Sequence, residues 1–145
     1  MHKCPTDPAR TPLGLCLLAA LCVFAAGCGS KLSLAPVEGK VLYHGKPLEF
    51  GRVVFQPQVG PPATGTIQPD GTFRLTTDQS DGAVIGKHQV EITCFDSQRP
   101  GAPAPTGEAG AGQSLIPLKY ASFHSSGLTA EVKAANEPFV FDLTD

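Results

Sequence analysis

Apolar and polar residues alternate in short runs over most of the chain, and glycine, proline or aspartate separates the runs. A two-residue period is typical of β-strands with one buried face, and no segment after residue 30 shows a sustained helical period. We predict seven strands, at residues 37–43, 51–57, 63–67, 72–77, 88–94, 128–132 and 139–143. Their number and spacing favour an all-β fold, a single antiparallel β-sandwich.

The same alternation predicts which side chains face the core and which segments connect the strands. The predicted core positions are Phe73, Leu75, Val90, Ile92, Phe139 and Phe141. Asp70 and Gly71 suit a tight hairpin in which both residues adopt positive φ, and residues 78–86 are expected to form a loop. Residues 98–112, rich in proline, glycine and alanine, are expected to form a mobile surface loop.

The first 28 residues depart from this alternation. Lys3 and Arg10 precede an apolar run at residues 13–26, which is shorter than the about 20 residues that a membrane-spanning helix needs. The run ends in the small residues Ala25-Ala26-Gly27, as at a signal-peptide cleavage site, directly before Cys28. The segment therefore indicates an exported protein.

Ala25-Ala26-Gly27-Cys28 resembles the lipobox of bacterial lipoproteins. This resemblance implies cleavage before Cys28, a diacylglycerol on its thiol, and an acyl chain such as palmitate on its new amino group. Two or more acyl chains hold a protein stably on a membrane, so we expect anchorage through Cys28. Gly29 stands where some lipoproteins carry an inner-membrane retention aspartate, which favours an outer-membrane or periplasm-facing location. An ordinary signal-peptidase site near Ala26, giving a free secreted protein, is the alternative.

The predicted organisation is a lipoprotein signal peptide at residues 1–27, a tether at 28–35 and a β-sandwich domain at 36–145. Three of the five cysteines leave with the signal peptide and Cys28 takes lipid, so no intramolecular disulfide is expected. Cys94 shares a strand face with Val90 and Ile92, which favours a buried core thiol over a reactive one.

Composition and motif spacing argue against several function classes. The chain has 11 Lys and Arg against 13 Asp and Glu without a basic block, which gives no support for nucleic-acid binding. His44, His88 and His124 are widely separated and match no metal motif. Asp78 and Asp81 are a weak calcium candidate for which a solvated loop is the favoured interpretation. We predict no catalytic residue, metal site or cofactor.

Several motifs together resemble the carboxypeptidase-regulatory-like or transthyretin-like domain, a prealbumin-like and Ig-like sandwich. The resemblance covers roughly residues 36–143 and extends to small lipoproteins abundant in planctomycetes. Its motifs are Gly39-Lys40-Val41, Gly45-Lys46-Pro47-Leu48, Gly51 to Phe55, Asp70-Gly71-Thr72-Phe73, Gly86-Lys87-His88-Gln89-Val90, Ile116 to Tyr120, Ser126 to Thr129 and Phe141-Asp142-Leu143.

The resemblance implies a fold and an envelope location but no family-wide active site. Transthyretin-like hydrolases end in a Tyr-Arg-Gly-Ser motif, whereas this chain ends in Asp142-Leu143-Thr144-Asp145. We therefore expect a non-catalytic, lipid-anchored structural or protein-interaction module with an unidentified envelope protein as partner. A sandwich that binds a small ligand, a carbohydrate or a peptide strand is the alternative, and an envelope hydrolase is the weakest alternative.

Overall fold

The computed structural model describes residues 32–103 and 112–145, which contain twelve β-strands and two short 3-10 helices. The seven strands of three or more residues correspond to the seven predicted strands, which confirms the all-β prediction. The predicted signal peptide, Cys28 and residues 104–111 of the predicted loop lie outside the described residues. The strands are β1 (Leu34–Ala35), β2 (Glu38–Tyr43), β3 (Lys46–Pro47), β4 (Arg52–Pro57), β5 (Ala63–Thr66), β6 (Thr72–Arg74), β7 (Thr76–Thr77), β8 (Ser80–Asp81), β9 (Ala83–Val84), β10 (Gly86–Thr93), β11 (Leu128–Val132) and β12 (Phe139–Leu143), and the helices are Asp96–Gln98 and Leu118–Ala121.

Two sheets enclose the apolar core. The larger sheet has the order β11-β10-β4-β5-β7-β8 with antiparallel neighbours. The smaller sheet has the order β12-β2-β3, and β6 also pairs with β2. A separate ribbon joins β1 to β9, so strand pairing begins at Leu34. The sandwich-like architecture predicted from the alternation is thus present.

One strand pair departs from the predicted antiparallel arrangement. β12 runs parallel to β2, with Phe141 beside Val41 and Leu143 beside Tyr43. Parallel neighbours need a long crossover connection, and here the whole of residues 44–138 supplies it. Strand alternation carries no information on direction, which is why the sequence prediction missed this pairing. As a result, β2 and β12 both end on the same side of the molecule.

The predicted strand at residues 72–77 divides at Leu75 and passes from one sheet to the other. β6 pairs with β2, whereas β7 pairs with β5. At the corner, the Leu75 amide donates to the Val37 carbonyl at 3.0 Å, and the Leu75 carbonyl accepts from the Gly82 amide at 2.8 Å. Phe73 and Leu75 are both buried, as predicted.

Two connections differ from their predicted form. In the 68–71 turn only Gly71 has a positive φ, of 83°, because Pro69 and Asp70 occupy the centre and the Gly71 amide closes the turn onto the Gln68 carbonyl at 2.8 Å. The expectation of positive φ at Asp70 was therefore wrong. The segment predicted as a loop at residues 78–86 instead contains β8 and β9, strands too short for a period to reveal.

The β7–β8 hairpin turns at two residues with positive φ, Asp78 at 45° and Gln79 at 71°. Two positive φ values match the twist of the flanking strands. Asp78 and Asp81 are exposed beside this turn. Among residues 32–103 and 112–145, no group of three or more His, Cys, Asp and Glu side chains could hold a metal ion.

Phe55 lies at the centre of the core and is fully buried. Its ring centroid lies 5.7 Å from that of Phe139 and 6.0 Å from that of Phe141 in the smaller sheet, and 5.7 Å from that of His88 in the larger sheet, so it contacts side chains of both sheets. Phe141 is buried as predicted, whereas Phe139 is only partly buried because it begins an edge strand.

His88 and Cys94 lie on the inward face of β10 and its extension. The His88 Nε2 atom lies 2.6 Å from the Val84 carbonyl, and Nδ1 has no hydrogen-bond partner among the described residues. Cys94 is 1% exposed, and burial raises the pKa of its thiol to about 11. The prediction of a core cysteine is confirmed.

The strand directions define two ends of the sandwich. Leu32 and the connections at residues 58–62, 78–86 and 133–138 lie where β2 and β12 begin, and we call this the proximal end. The connections at residues 44–45 and 67–71, the segments 94–103 and 112–127, and Asp145 lie where both strands finish, and we call this the distal end.

Candidate functional site

The β2–β3 turn and the end of β12 meet at the distal end. His44 and Gly45 both have positive φ, of 51° and 73°, and form a two-residue turn that glycine favours. The His44 amide donates to the Leu143 carbonyl at 3.0 Å, and the Gly45 amide donates to Asp142 Oδ1 at 3.0 Å. The turn is therefore fastened to the last strand.

Asp145 lies between two neighbouring side chains of this turn. The Tyr43 hydroxyl donates to Asp145 Oδ1 at 2.7 Å, and His44 Nε2 lies 3.1 Å from Asp145 Oδ2. The Tyr43 and His44 ring centroids are 4.4 Å apart. The hydrogen bond to Tyr43 holds the pKa of Asp145 below its usual value, and the same bond raises the pKa of Tyr43.

Tyr120 lies in the Leu118–Ala121 helix and bonds to Thr144, the residue that follows β12. Its partly buried hydroxyl donates to the Thr144 carbonyl at 2.8 Å and accepts from the Thr144 amide at 3.1 Å. Burial by itself raises the pKa of Tyr120, but the hydrogen bonds with Thr144 and the nearby Lys119 together lower it. We call Tyr43, His44, Tyr120 and Asp145 the distal cluster.

Exposed apolar side chains lie in the segment that supplies Tyr120. Leu118 is 67% exposed and Leu115 is 40% exposed. The Lys119 ammonium lies 5.0 Å from the centre of the Tyr120 ring. The distal end thus combines aromatic, apolar and charged groups, a mixture typical of protein-binding surfaces.

The base of the 98–112 loop is held at the same end. The Asp96 amide donates to the Gln113 carbonyl at 3.0 Å, and the Leu115 amide donates to the Cys94 carbonyl at 2.8 Å. Gln98 Oε1 accepts from the Phe95 amide at 2.8 Å. These bonds fix both stems of the predicted 98–112 loop, of which residues 104–111 lie outside the described part, and its mobility stays a prediction.

The structure brings only one of the three candidate histidines into a polar cluster. His44 joins Asp145, whereas His88 is buried in the core and His124 is exposed in the segment before β11. Within the described ranges, no hydroxyl or thiol is hydrogen-bonded to the His44 ring. The His44–Asp145 pair could accept or donate a proton, but it is open to water, with side chains 51% and 76% exposed.

Among the depressions formed by the described residues, the two most voluminous of those found lie on the sides of the sandwich. One, of about 720 Å³, crosses β5 and β6 and includes Arg52, Thr66 and Arg74. The other, of about 640 Å³, lies over β4, β10 and β11. Both have linings rich in polar side chains, unlike the mostly apolar linings of small-molecule sites. They support ligand binding less well than the distal end supports a protein contact.

Sequence reasoning missed the distal cluster. Tyr43 and Asp145 are 102 positions apart and become neighbours only through the parallel β2–β12 pairing. A local signal did exist, since a tyrosine and a histidine precede a turn glycine and aspartates flank the last apolar residue. Nothing in that signal indicates that the two segments meet.

Comparisons extend the description no further. No protein-family model matches the chain, and no match was found among curated proteins or solved structures. No helix of the described residues has the length and apolar character to cross a bilayer. Functional inference therefore rests on this chain's own residues.

Proposed function

We propose that this protein is a non-catalytic cell-envelope lipoprotein whose β-sandwich contacts another envelope protein through its distal end. The observation that carries the proposal is the apolar run that stops at Ala25-Ala26-Gly27-Cys28. Strand pairing begins at Leu34, so a folded domain follows the cysteine at once. A lipid on Cys28 and a domain close behind it make a membrane-attached module.

The distal end is the proposed contact surface because it is held in place and carries suitable side chains. Tyr43 and Asp145 are fixed by the hydrogen bond between them, and Leu118 remains exposed at the same end. Fixed aromatic groups contribute much of the energy in protein interfaces and lose little entropy on binding. An unidentified envelope protein is the proposed partner.

We also propose the transthyretin-like form of the sandwich. Its support is that three glycines of the resembling motifs occupy positions that need glycine. Gly45 and Gly71 have positive φ in turns, and a Cβ at Gly51 would lie 2.3 Å from the Thr93 carbonyl oxygen. The motifs thus coincide with the backbone features that shape the two sheets.

The test of the anchor is mass spectrometry of the mature N-terminus after expression of the full chain in a bacterial host. The proposal expects a terminus at Cys28 carrying three acyl chains, and unprocessed or soluble protein from Cys28→Ala. Cys94→Ala is the matched control, since Cys94 is buried, and it should leave lipidation unchanged. An unmodified terminus at or after Cys28 would contradict the proposal.

A ligand-binding or hydrolytic role is the alternative, and the His44–Asp145 pair is the observation that favours it. Hydrolysis would need His44 to act on a water or on a nucleophile supplied by a bound molecule. Assays with small esters and amides should show no activity above that of His44→Gln. A rate that falls at least tenfold in His44→Gln would establish the hydrolase and overturn the non-catalytic proposal.

A further inference from the structure

The proximal end carries an apolar patch whose members lie close together. Val59 is 75% exposed, Ile85 42% and Leu32 41%. Leu32 lies against the backbone of Gly60, the neighbour of Val59, and the Ile85 amide donates to the Ser33 carbonyl at 3.0 Å. We call these three residues, Leu32, Val59 and Ile85, the proximal patch. They come from three separate segments between or before strands.

The proximal patch lies next to the point where the chain leaves toward Cys28. Only four positions separate Cys28 from Leu32, and a fully extended chain spans at most about 3.6 Å per residue. Leu32 therefore lies within about 14 Å of the Cys28 backbone in any conformation. A lipidated Cys28 would sit at the membrane surface, so the proximal patch cannot be far from it.

Charge does not draw the proximal end to an anionic bilayer, because its connections carry exposed Asp78, Asp81 and Glu137 against Lys133. Lys87 faces Glu131 in the strand register, so β10 and β11 add no net charge there. Contact with a membrane therefore has to come from the apolar patch and from the short tether. Transfer of an apolar patch of this kind from water into the interfacial region of a bilayer lowers the free energy.

We propose that the proximal patch of Leu32, Val59 and Ile85 rests in the headgroup region of the bilayer that holds the lipidated Cys28. This inference rests on the proposed lipid anchor and adds the orientation of the domain. The sandwich would stand on its proximal end and hold the distal cluster away from the membrane. A second protein copy on the patch is the competing occupant, which the short tether disfavours.

The test uses the absence of tryptophan from the chain, because one added tryptophan is then a unique fluorescent probe. Val59→Trp places the probe in the proximal patch, and Leu118→Trp is the matched control at the distal end, where Leu118 is also well exposed. Each variant is expressed from the full chain, and its mature lipidated form is placed in phosphatidylethanolamine–phosphatidylglycerol vesicles whose acyl chains are brominated near the headgroup. Bromine quenches only a nearby indole.

We expect bromolipids to quench the Val59→Trp fluorescence at least twofold more than that of Leu118→Trp, with a blue-shifted emission. Equal quenching at both positions, or a blue shift without quenching, as a protein–protein contact would give, overturns the inference. Mass spectrometry of the same sample distinguishes failure of the proposed lipid anchor from failure of the proposed orientation. Lipid on Cys28 without quenching contradicts the orientation alone, whereas absence of lipid contradicts the anchor and the orientation together.

Discussion

The two ends of this sandwich are built by different interactions. At the proximal end, the β1–β9 ribbon joins short segments by backbone pairing, and apolar side chains such as Val59 remain exposed. At the distal end, side-chain hydrogen bonds of Tyr43 and Tyr120 connect segments far apart in the chain. Asn136 also bonds to the distant Pro36 carbonyl at the proximal end, so the two ends differ in the groups that join them: aromatic hydroxyls at the distal end, and backbone pairing with an amide side chain at the proximal end.

This difference matches two tasks of the proposed anchored domain. An apolar end next to the proposed lipid anchor suits contact with a membrane, where hydrogen-bonding side chains would have to be desolvated. An end with fixed aromatic and charged groups suits recognition of another protein. Substitutions at one end, or in the core between the ends, measure how independent the two ends are.

The largest expected effect follows from a change in the core that both ends share. Phe55→Ala should lower the free energy of unfolding by about 3–5 kcal/mol, because Phe55 is fully buried and contacts both sheets. Chemical denaturation measures this loss. Val59→Ala, at an exposed position, is the control and should change stability by less than about 0.5 kcal/mol. A loss below about 1 kcal/mol for Phe55→Ala would mean that the sheets do not pack as described.

A pair of glycines compares the two ends directly. Gly51 at the distal end and Gly86 at the proximal end have nearly equal φ, of 134° and 137°. A Cβ at Gly51 would lie 2.3 Å from the Thr93 carbonyl oxygen, whereas a Cβ at Gly86 would meet nothing within 4 Å. Gly51→Ala should therefore destabilise the protein by about 1–3 kcal/mol more than Gly86→Ala, because the clash adds to a shared backbone strain. Equal denaturation midpoints would contradict the close approach.

The Tyr120 hydroxyl tests the cross-linking of the distal end. Tyr120→Phe removes one group that both donates to and accepts from Thr144, and it should lower the free energy of unfolding by about 1 kcal/mol. Amide hydrogen exchange should also speed up at Thr144, while the β1–β9 pairing at the proximal end should exchange as in the wild type. Faster exchange at both ends would show that the two ends are not independent.

The smallest expected effect is a pH dependence of the Tyr43–Asp145 bond. The folded-state pKa of Asp145 lies below its ordinary value of 3.8, so the bond stabilises the fold above that pH and is lost as the pH falls through the lowered value. The folded-state pKa of Tyr43 lies above its ordinary value of 10.0, so the same bond is also lost in strong alkali. The difference in denaturation midpoint between wild type and Tyr43→Phe should shrink below about pH 4. A difference that stays constant down to pH 2 would exclude the carboxylate as partner.

Most of the fold could be predicted because local alternation reflects burial. Val90, Ile92 and Cys94 were placed in the core from their two-residue spacing, and all three are buried. Alternation does not specify strand direction or sheet membership, so the parallel β12 and the change of sheet at Leu75 could not be read from it. Phe139 fits the period but begins an edge strand and is only partly buried.

The distal cluster was beyond prediction for the same reason. In an antiparallel pair, the end of β12 would lie beside the start of β2, and Asp145 would be far from Tyr43. The parallel pairing places both strand ends together. The predicted anchor at Cys28, by contrast, is a local pattern of charge, length and small residues, and it remains a prediction of the sequence alone.

Photo-crosslinking in intact cells tests the central proposal most directly, because it asks what each end touches. A benzoylphenylalanine is introduced at Leu118 in the distal end or at Val59 in the proximal patch, both of which are exposed. The proposed arrangement predicts a discrete protein adduct from position 118 and lipid adducts, without a protein adduct, from position 59. A protein adduct from position 59 together with lipid adducts from position 118 would contradict it.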